Sequence, residues 1–268
     1  LPMELMLRIY FMQQWFNLSD PQAEDSLYDS ESMRRFAGVE LAEDTIPDET
    51  SILRFRHLLE EHSLTAAIFV EVRQLLEDKG LLLKSGTIVD ATIISAPSST
   101  KNAEGQRDPE MHQTRKGKDW HFGMKVHIGT TKQGLVHSLV AGPANESDIG
   151  RIDELLHGQE KEIYGDQAYW SEDHRRHCLH AGIHYRVNRQ ARYPRKLSAH
   201  ERLVNRSRSR RRARGEHAFL VVKRLWGFAK VRYRGIYKNT VRALTMFALA
   251  NLYMARRRLL PPQASCAL

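Results

Sequence analysis

"TIVDATII", residues 87–94, is a run of β-branched and apolar residues interrupted by one carboxylate, Asp90. Such side chains suit a packed, pleated surface, so the run reads as a buried strand. A carboxylate buried there without a partner would be costly, which makes Asp90 conspicuous. Working outward, "KGLLLKSG" (79–86) marks a change of texture, and a polar loop is expected after the strand, through about residue 118. "WHFGMKVHIGT" (120–130) alternates Phe122, Met124, Val126 and Ile128 against polar neighbours. With "GLVHSLVAG" (134–142) after the "TKQG" turn, it predicts a hairpin.

Further along, "ESDIGRIDELLHG" (146–158) predicts a helix capped by Ser147 or Asp148, "KEIYGD" (161–166) a short strand, "SEDHRRHCLHAG" (171–182) a helix and "IHYRV" (183–187) a strand. Alternation of this kind indicates an α/β fold with a mixed sheet. Residues 188–209 read as an irregular basic connection, followed by helices over about 210–226 and 239–258. The first 80 residues read as helices. Met6, Ile9, Tyr10 and Gln13 have helical spacing, Asp20 with Pro21 supplies one start signal, and "PDETSILRFRHLLEEH" (47–62) another. Either a small bundle or a helix-turn-helix DNA reader fits them. The expected organisation is a helical N-terminal domain over 1–80, a main domain over 81–260 and a tail over 261–268.

Composition bounds the function. The chain has 268 residues, 41% hydrophobic and 27% charged, which excludes collagen-like, disordered and disulfide-scaffold classes. Its longest apolar runs, such as "ALTMFALA" (243–250), are too short to span a bilayer, and the N-terminus shows no secretory pattern. No membrane association is expected, and the lone thiols Cys178 and Cys266 fit a reducing cytoplasm. The net charge of +9 is unevenly placed. Residues 185–268 carry 22 Lys and Arg against two acids, Glu201 and Glu216, whereas the preceding residues carry 19 bases and 30 acids. Clustered bases release counterions from a polyanion, so this half has the charge of a nucleic-acid binder; a solvated basic face is the alternative.

Three acids stand out against these backgrounds. Asp90 lies in the apolar strand, Asp166 follows "KEIYG" at the end where α/β sheets open their ligand crevices, and Glu216 sits among arginines. On a continuous helix Arg212, Glu216 and Lys223 fall within about 40° of one another, with Ala218, Val221, Val222 and Leu225 on the buried side. Taken singly, Asp90 ends a strand, Asp166 caps a turn and Glu216 pairs with Arg212 at the surface. Taken together, three separated carboxylates suit hard divalent cations, and two such ions can activate the attacking oxygen and stabilise the leaving one in phosphodiester chemistry.

The stretches "VDATIISAPSSTKN", "DPEMHQTRKGKDWHFGMKVHIG", "GDQAYW" and "RARGEHAFLVVKRLWGF" resemble the bacterial DDE transposases of the insertion sequence five group, within the insertion sequence four superfamily. "LRIYFMQQWFNLSD" and "SILRFRHLLE" are similar to the helical N-terminal region of that family. The resemblance implies a ribonuclease H-like catalytic core with Asp90, Asp166 and Glu216 as catalytic acids holding two Mg2+ or Mn2+ ions. It implies hydrolysis at the ends of a mobile element and transfer of the freed 3′ hydroxyls into target DNA. Expected partners are double-stranded DNA, as terminal inverted repeats and target, and a second copy of the chain in a homodimer on DNA; the expected location is the cytoplasm, with the nucleoid.

Arg212 and Lys223 match the arginine and lysine of a tyrosine, arginine, glutamate, lysine signature, while its tyrosine position is Ser209. Arg212 and Lys223 are expected to contact phosphates near the scissile bond, and Arg211 and Arg214 to bind DNA backbone within the run from Arg206 to Arg214. Trp226 is either a base-stacking or a core aromatic. The 50-residue spacing from Asp166 to Glu216 leaves little room for the β insertion of some relatives. Relatives have further sequence upstream of the position of Leu1, so a truncated N-terminal region is expected. Two alternatives remain. One is a catalytically inactive DNA-binding remnant; the other is a zinc-binding DNA-binding module using His174, His177, Cys178, His180 and His184.

Overall fold

The computed structural model describes residues 1–40, 44–103, 105–191 and 195–260; the expected tail, with Cys266, lies outside the described residues. Five helices come first: α1 Met3–Phe16, α2 Asp20–Asp29, α3 Glu31–Ala37, α4 Glu49–Glu61 and α5 Leu64–Asp78. Serine and aspartate side chains start three of them. Ser19 caps α2 through a reciprocal capping box with Gln22, one residue ahead of the expected Asp20. Asp20 is thereby freed to accept hydrogen bonds from Gln13 and Arg56. Ser30 caps α3 and Asp48 caps α4. Ile9, Met12, Ala23, Leu27 and Ile52 close a core among the helices, while Phe69 of α5 joins the main core beneath the sheet.

The sheet has six strands: β1 Thr87–Ser95, β2 His112–Lys116, β3 Asp119–Thr131, β4 Val136–Pro143, β5 Glu162–Gly165 and β6 His184–Val187. β3 runs antiparallel to β1, β2 and β4, and β1, β5 and β6 run parallel, which makes the mixed sheet of a ribonuclease H-like core. The expected 120–142 hairpin is β3 and β4. β2 corrects the expected loop: it is a strand with no buried residue, so no apolar pattern announces it.

Alternation along β1 sorts its side chains between two cores. Ile94 joins Met124, Val126, Ile128, Phe247 and Phe228 on one face; Val89 joins Ile152, Ile163, Tyr169 and Val187 on the other. Each large apolar side chain buried this way contributes about 1.5–3 kcal/mol. The last helix, α10 Ile236–Leu259, crosses the first face. Its buried Asn251 donates to the carbonyl of Val136 and accepts from the amide of the same residue, satisfying a β4 segment that no strand covers. The same helix anchors α1, because Arg242 donates to Gln14 and Asn17.

Between β4 and β5 the expected helix is shorter than predicted: a 3-10 turn over Asp148–Arg151 and one turn, α6 Ile152–Leu155. Ser147 makes no side-chain cap bond there, and Asp148 points elsewhere. α7 Glu172–His180 is capped by Ser171. Residues 188–209 were expected to be irregular, yet α8 Ala199–Arg212 occupies much of that stretch, started by a capping box between Ser198 and Glu201. The expected 210–226 helix is broken. The chain turns at Ala213–Gly215, restarts as α9 Glu216–Leu220 and continues as a π-turn over Val221–Leu225. Gly215 brings the turn close to the sheet. A Cβ there would stand 3.0 Å from Ile88 Cγ2 and 3.2 Å from Thr130 Oγ1, so a larger residue would have to push these side chains back. The π-turn alters the helical phase, leaving Leu225 exposed rather than buried. Among the described residues, no helix is long and apolar enough to cross a membrane.

Candidate active site

β5 is only four residues long and pairs with β1 at Thr87 and Ile88 alone, so β1 runs on past its partner. A cleft of about 660 Å³ opens beside that extension. Asp90, Asp166 and Glu216 all line it, arriving from β1, from the residue after β5 and from the first residue of α9. The three acids that the sequence singles out therefore line one cleft.

Arg212 links two of them. Its guanidinium donates to Asp90 Oδ2 at 2.7 Å and meets Glu216 Oε1 at 2.8 Å. Because α8 ends at Arg212, the pair spans a turn between two helices instead of lying along one. Asp90 is 9% exposed and also accepts the Ala91 amide at 2.9 Å. Burial raises its carboxyl to about 6; Arg212 and the Ala91 amide oppose the rise, and Asp166 and Glu216 add to it. Asp166 accepts the Ala168 amide at 2.9 Å.

The expected phosphate-binding residues divide. The Lys223 ammonium donates to Thr92 Oγ1 and to the Ile93 carbonyl, two residues that line the cleft, and so secures the uncovered part of β1. Burial lowers its pKa, as does nearby Lys116. Arg211 and Arg214 lie outside the acid cleft and line a separate groove with Lys132 and Tyr164; Arg211 donates to the Tyr164 hydroxyl at 3.0 Å. Trp226 is 7% exposed and packs edge-on against Tyr253, which resolves it as a core aromatic.

Sequence reasoning missed a second pair in the cleft. Lys125 donates to Asp148 Oδ1 at 2.7 Å, and both residues line the cleft. Fully buried His127 lies behind them, its Nδ1 3.2 Å from the Tyr169 hydroxyl, and burial lowers its pKa to about 4. The available signal was positional: Lys125 and His127 are among the polar neighbours that alternate with the apolar residues of β3, and a sheet covered on both sides buries that face too.

The acid cleft suits a divalent cation in its donor chemistry. It presents carboxylate oxygens in excess over the cation between them, and Asp166 and Glu216 both resist the ionisation of Asp90. Among the described residues, no three His, Cys, Asp or Glu side chains are gathered closely enough to hold a metal ion as they stand. Arg212 occupies the space between Asp90 and Glu216, so loading would require it to move. The histidine and cysteine cluster lacks this convergence: Cys178 turns into the core while His177, His180 and His184 face outward.

Residues 82–252 match the family described as Transposase DDE domain, and residues 1–58 match the one described as Transposase domain (DUF772). The first match runs from just before β1 into α10 and includes all three cleft acids. Members of this family generally use divalent metal ions in their action on DNA. The chain belongs to the DDE transposases, enzymes of DNA transposition.

Proposed function

We propose that this transposase belongs to the insertion sequence five group, hydrolyses phosphodiester bonds at the ends of its element and joins the freed 3′ hydroxyls to target DNA. The observation that carries this reading is the meeting of Asp90, Asp166 and Glu216 in one cleft, each delivered by a different element of the sheet and its covering helix. These three residues would hold two Mg2+ or Mn2+ ions. Bound there, the ions would activate the attacking oxygen and stabilise the leaving one.

The remaining roles fall to the chain itself. Arg212 neutralises Asp90 and Glu216 before the substrate arrives and then turns to a phosphate oxygen, for which its planar fork is suited. Lys223 holds the β1 extension that carries Asp90. Arg211 and Arg214 bind backbone phosphates further along the duplex, outside the cleft. Residues 1–80 form a DNA-binding domain ahead of a catalytic domain over 81–260, and two copies of the chain act together on paired ends in the nucleoid.

The test is strand cleavage of duplexes carrying the terminal repeats that flank the gene, with and without Mg2+. Cleavage that requires Mg2+ and is lost in Asp90→Asn, Asp166→Asn and Glu216→Gln supports the assignment. Undiminished cleavage by any of these variants overturns it.

A further inference from the structure

β2 and the first residues of β3 form a two-stranded ribbon that continues beyond the sheet. Lys116 pairs with Asp119, Arg115 with Trp120 and Thr114 with His121. Gly117 holds a positive φ of 65° at the first position of the two-residue turn, where a tight hairpin favours glycine. From His112 to Trp120 no side chain is buried. Trp120 is 67% exposed, although Phe122, two residues along the same face, packs on the main core. The indole left in water near the end of this ribbon adds little to the core.

Its surroundings indicate what covers it. Arg115, directly opposite Trp120, lines the acid cleft together with Thr114, Lys116 and Gly117. The ribbon carries Arg115, Lys116 and Lys118 against a single acid, Asp119. Lys116 is close enough to Lys223 to lower its pKa. By alternation, Trp120 projects from the same side of the sheet as Met124, Val126 and Ile128, and therefore as Asp90, which pairs with Ile128. A flat apolar ring paired with an arginine that lines an acidic cleft matches a nucleotide strand: phosphates for the cationic side chains and a nucleobase face for the indole.

We infer that the β2–β3 ribbon is a DNA-docking arm, in which Arg115, Lys116 and Lys118 hold the backbone and Trp120 stacks on a base unpaired at the scissile junction. The inference rests on the proposed transposase reading and adds to it a stacking subsite on the ribbon that borders the acid cleft. It favours a DNA junction over a fully paired duplex, because a paired base offers no free face.

Binding of two fluorescent DNA probes separates the outcomes: a fully paired duplex and the same duplex with an unpaired tail whose first base is 2-aminopurine. The wild-type chain should prefer the tailed probe and quench its 2-aminopurine emission. Trp120→Ala should lose about tenfold in affinity for that probe, the factor expected for one stacked base, together with the quenching. Trp120→Phe should retain most of both. Arg115→Ala with Lys116→Ala and Lys118→Ala should weaken both probes and flatten the salt dependence. Equal binding of the two probes by wild type, or unchanged binding and quenching in Trp120→Ala, overturns the inference while leaving the transposase reading intact. So does a change of oligomeric state in Trp120→Ala with DNA binding unaltered. Failure of the wild-type chain to bind either probe overturns both.

Discussion

Two arginines in this molecule are held in the same way, each between two carboxylates, yet their settings differ. Arg56 lies between Asp20 and Glu60 at 3.1 and 3.2 Å, with the ring of Tyr233 at 4.4 Å. Arg212 lies between Asp90 and Glu216 at 2.7 and 2.8 Å. The first group is closed: the Glu60 side chain is 9% exposed, and the guanidinium is stacked as well as paired. The second is open, since the Glu216 side chain is 51% exposed and a third acid, Asp166, shares the cleft. A stacked and enclosed guanidinium joins helices together. One that faces a cleft with surplus negative charge can exchange its place with another cation.

The largest effect should distinguish the two groups by activity. Asp90→Asn and Glu216→Gln should each reduce the rate of strand cleavage by at least about 10³-fold, with DNA affinity nearly unchanged. Asp20→Asn should leave the rate per folded molecule intact. A comparable loss in Asp20→Asn, measured at equal folded fraction, would break the contrast.

Stability should distinguish them in the opposite sense. Arg56→Ala leaves Asp20 and Glu60 facing each other with little access to water and should cost about 3–5 kcal/mol in denaturant unfolding. Arg212→Ala should cost about 1 kcal/mol, because Glu216 can be solvated and Asp90 can retain its proton. It should also tighten binding of Mn2+ to the cleft in a direct titration, since the competing cation is gone. Equal destabilisation by the two substitutions would show that openness does not matter.

The pH dependence sharpens the same contrast. Asp90 titrates at about 6 in the folded protein, above the ordinary aspartate value. Folding therefore favours its protonated form, so the penalty is absent below about pH 4, develops between 4 and 6 and is fully present above 6. A shift of this size corresponds to about 3 kcal/mol. Metal-free Asp90→Asn should accordingly melt higher than wild type at pH 7.5 and at nearly the same temperature at pH 4. Added Mg2+ should raise the melting temperature of the wild-type chain at pH 7.5 and leave that of Asp90→Asn unchanged.

What was legible in the sequence depended on apolar patterning. β1, β3 and β4 carry alternating or continuous apolar residues, and Asp90 was conspicuous because it interrupts one of these patterns. Glu216 was conspicuous against charge instead. β2 and α8 bury nothing, so periodicity was silent about both, although the Ser198 and Glu201 pair was a start signal for α8 that local chemistry could have supplied. The break at Gly215 was hidden for a different reason: the side chains this turn lies against, Ile88 and Thr130, are far away in the chain. Lys125 and Asp148 were invisible as cleft residues because their pairing depends on how the sheet is covered on its second face.

α8 contributes no buried side chain to the fold, and is attached by polar contacts such as Arg208 to the Val187 carbonyl and Asn188 to Ser209. Most of its surface positions can therefore be rewritten without disturbing the packing that sets the three acids. Selection acting on this helix would be governed by what it meets in solution, whereas selection on β1 is governed by the core. The frame that holds the three acids and its arginine-rich neighbour are thus free to diverge at different speeds, and a graft that replaces the outward residues of α8 would change the charge presented there while leaving the cleft beside it intact.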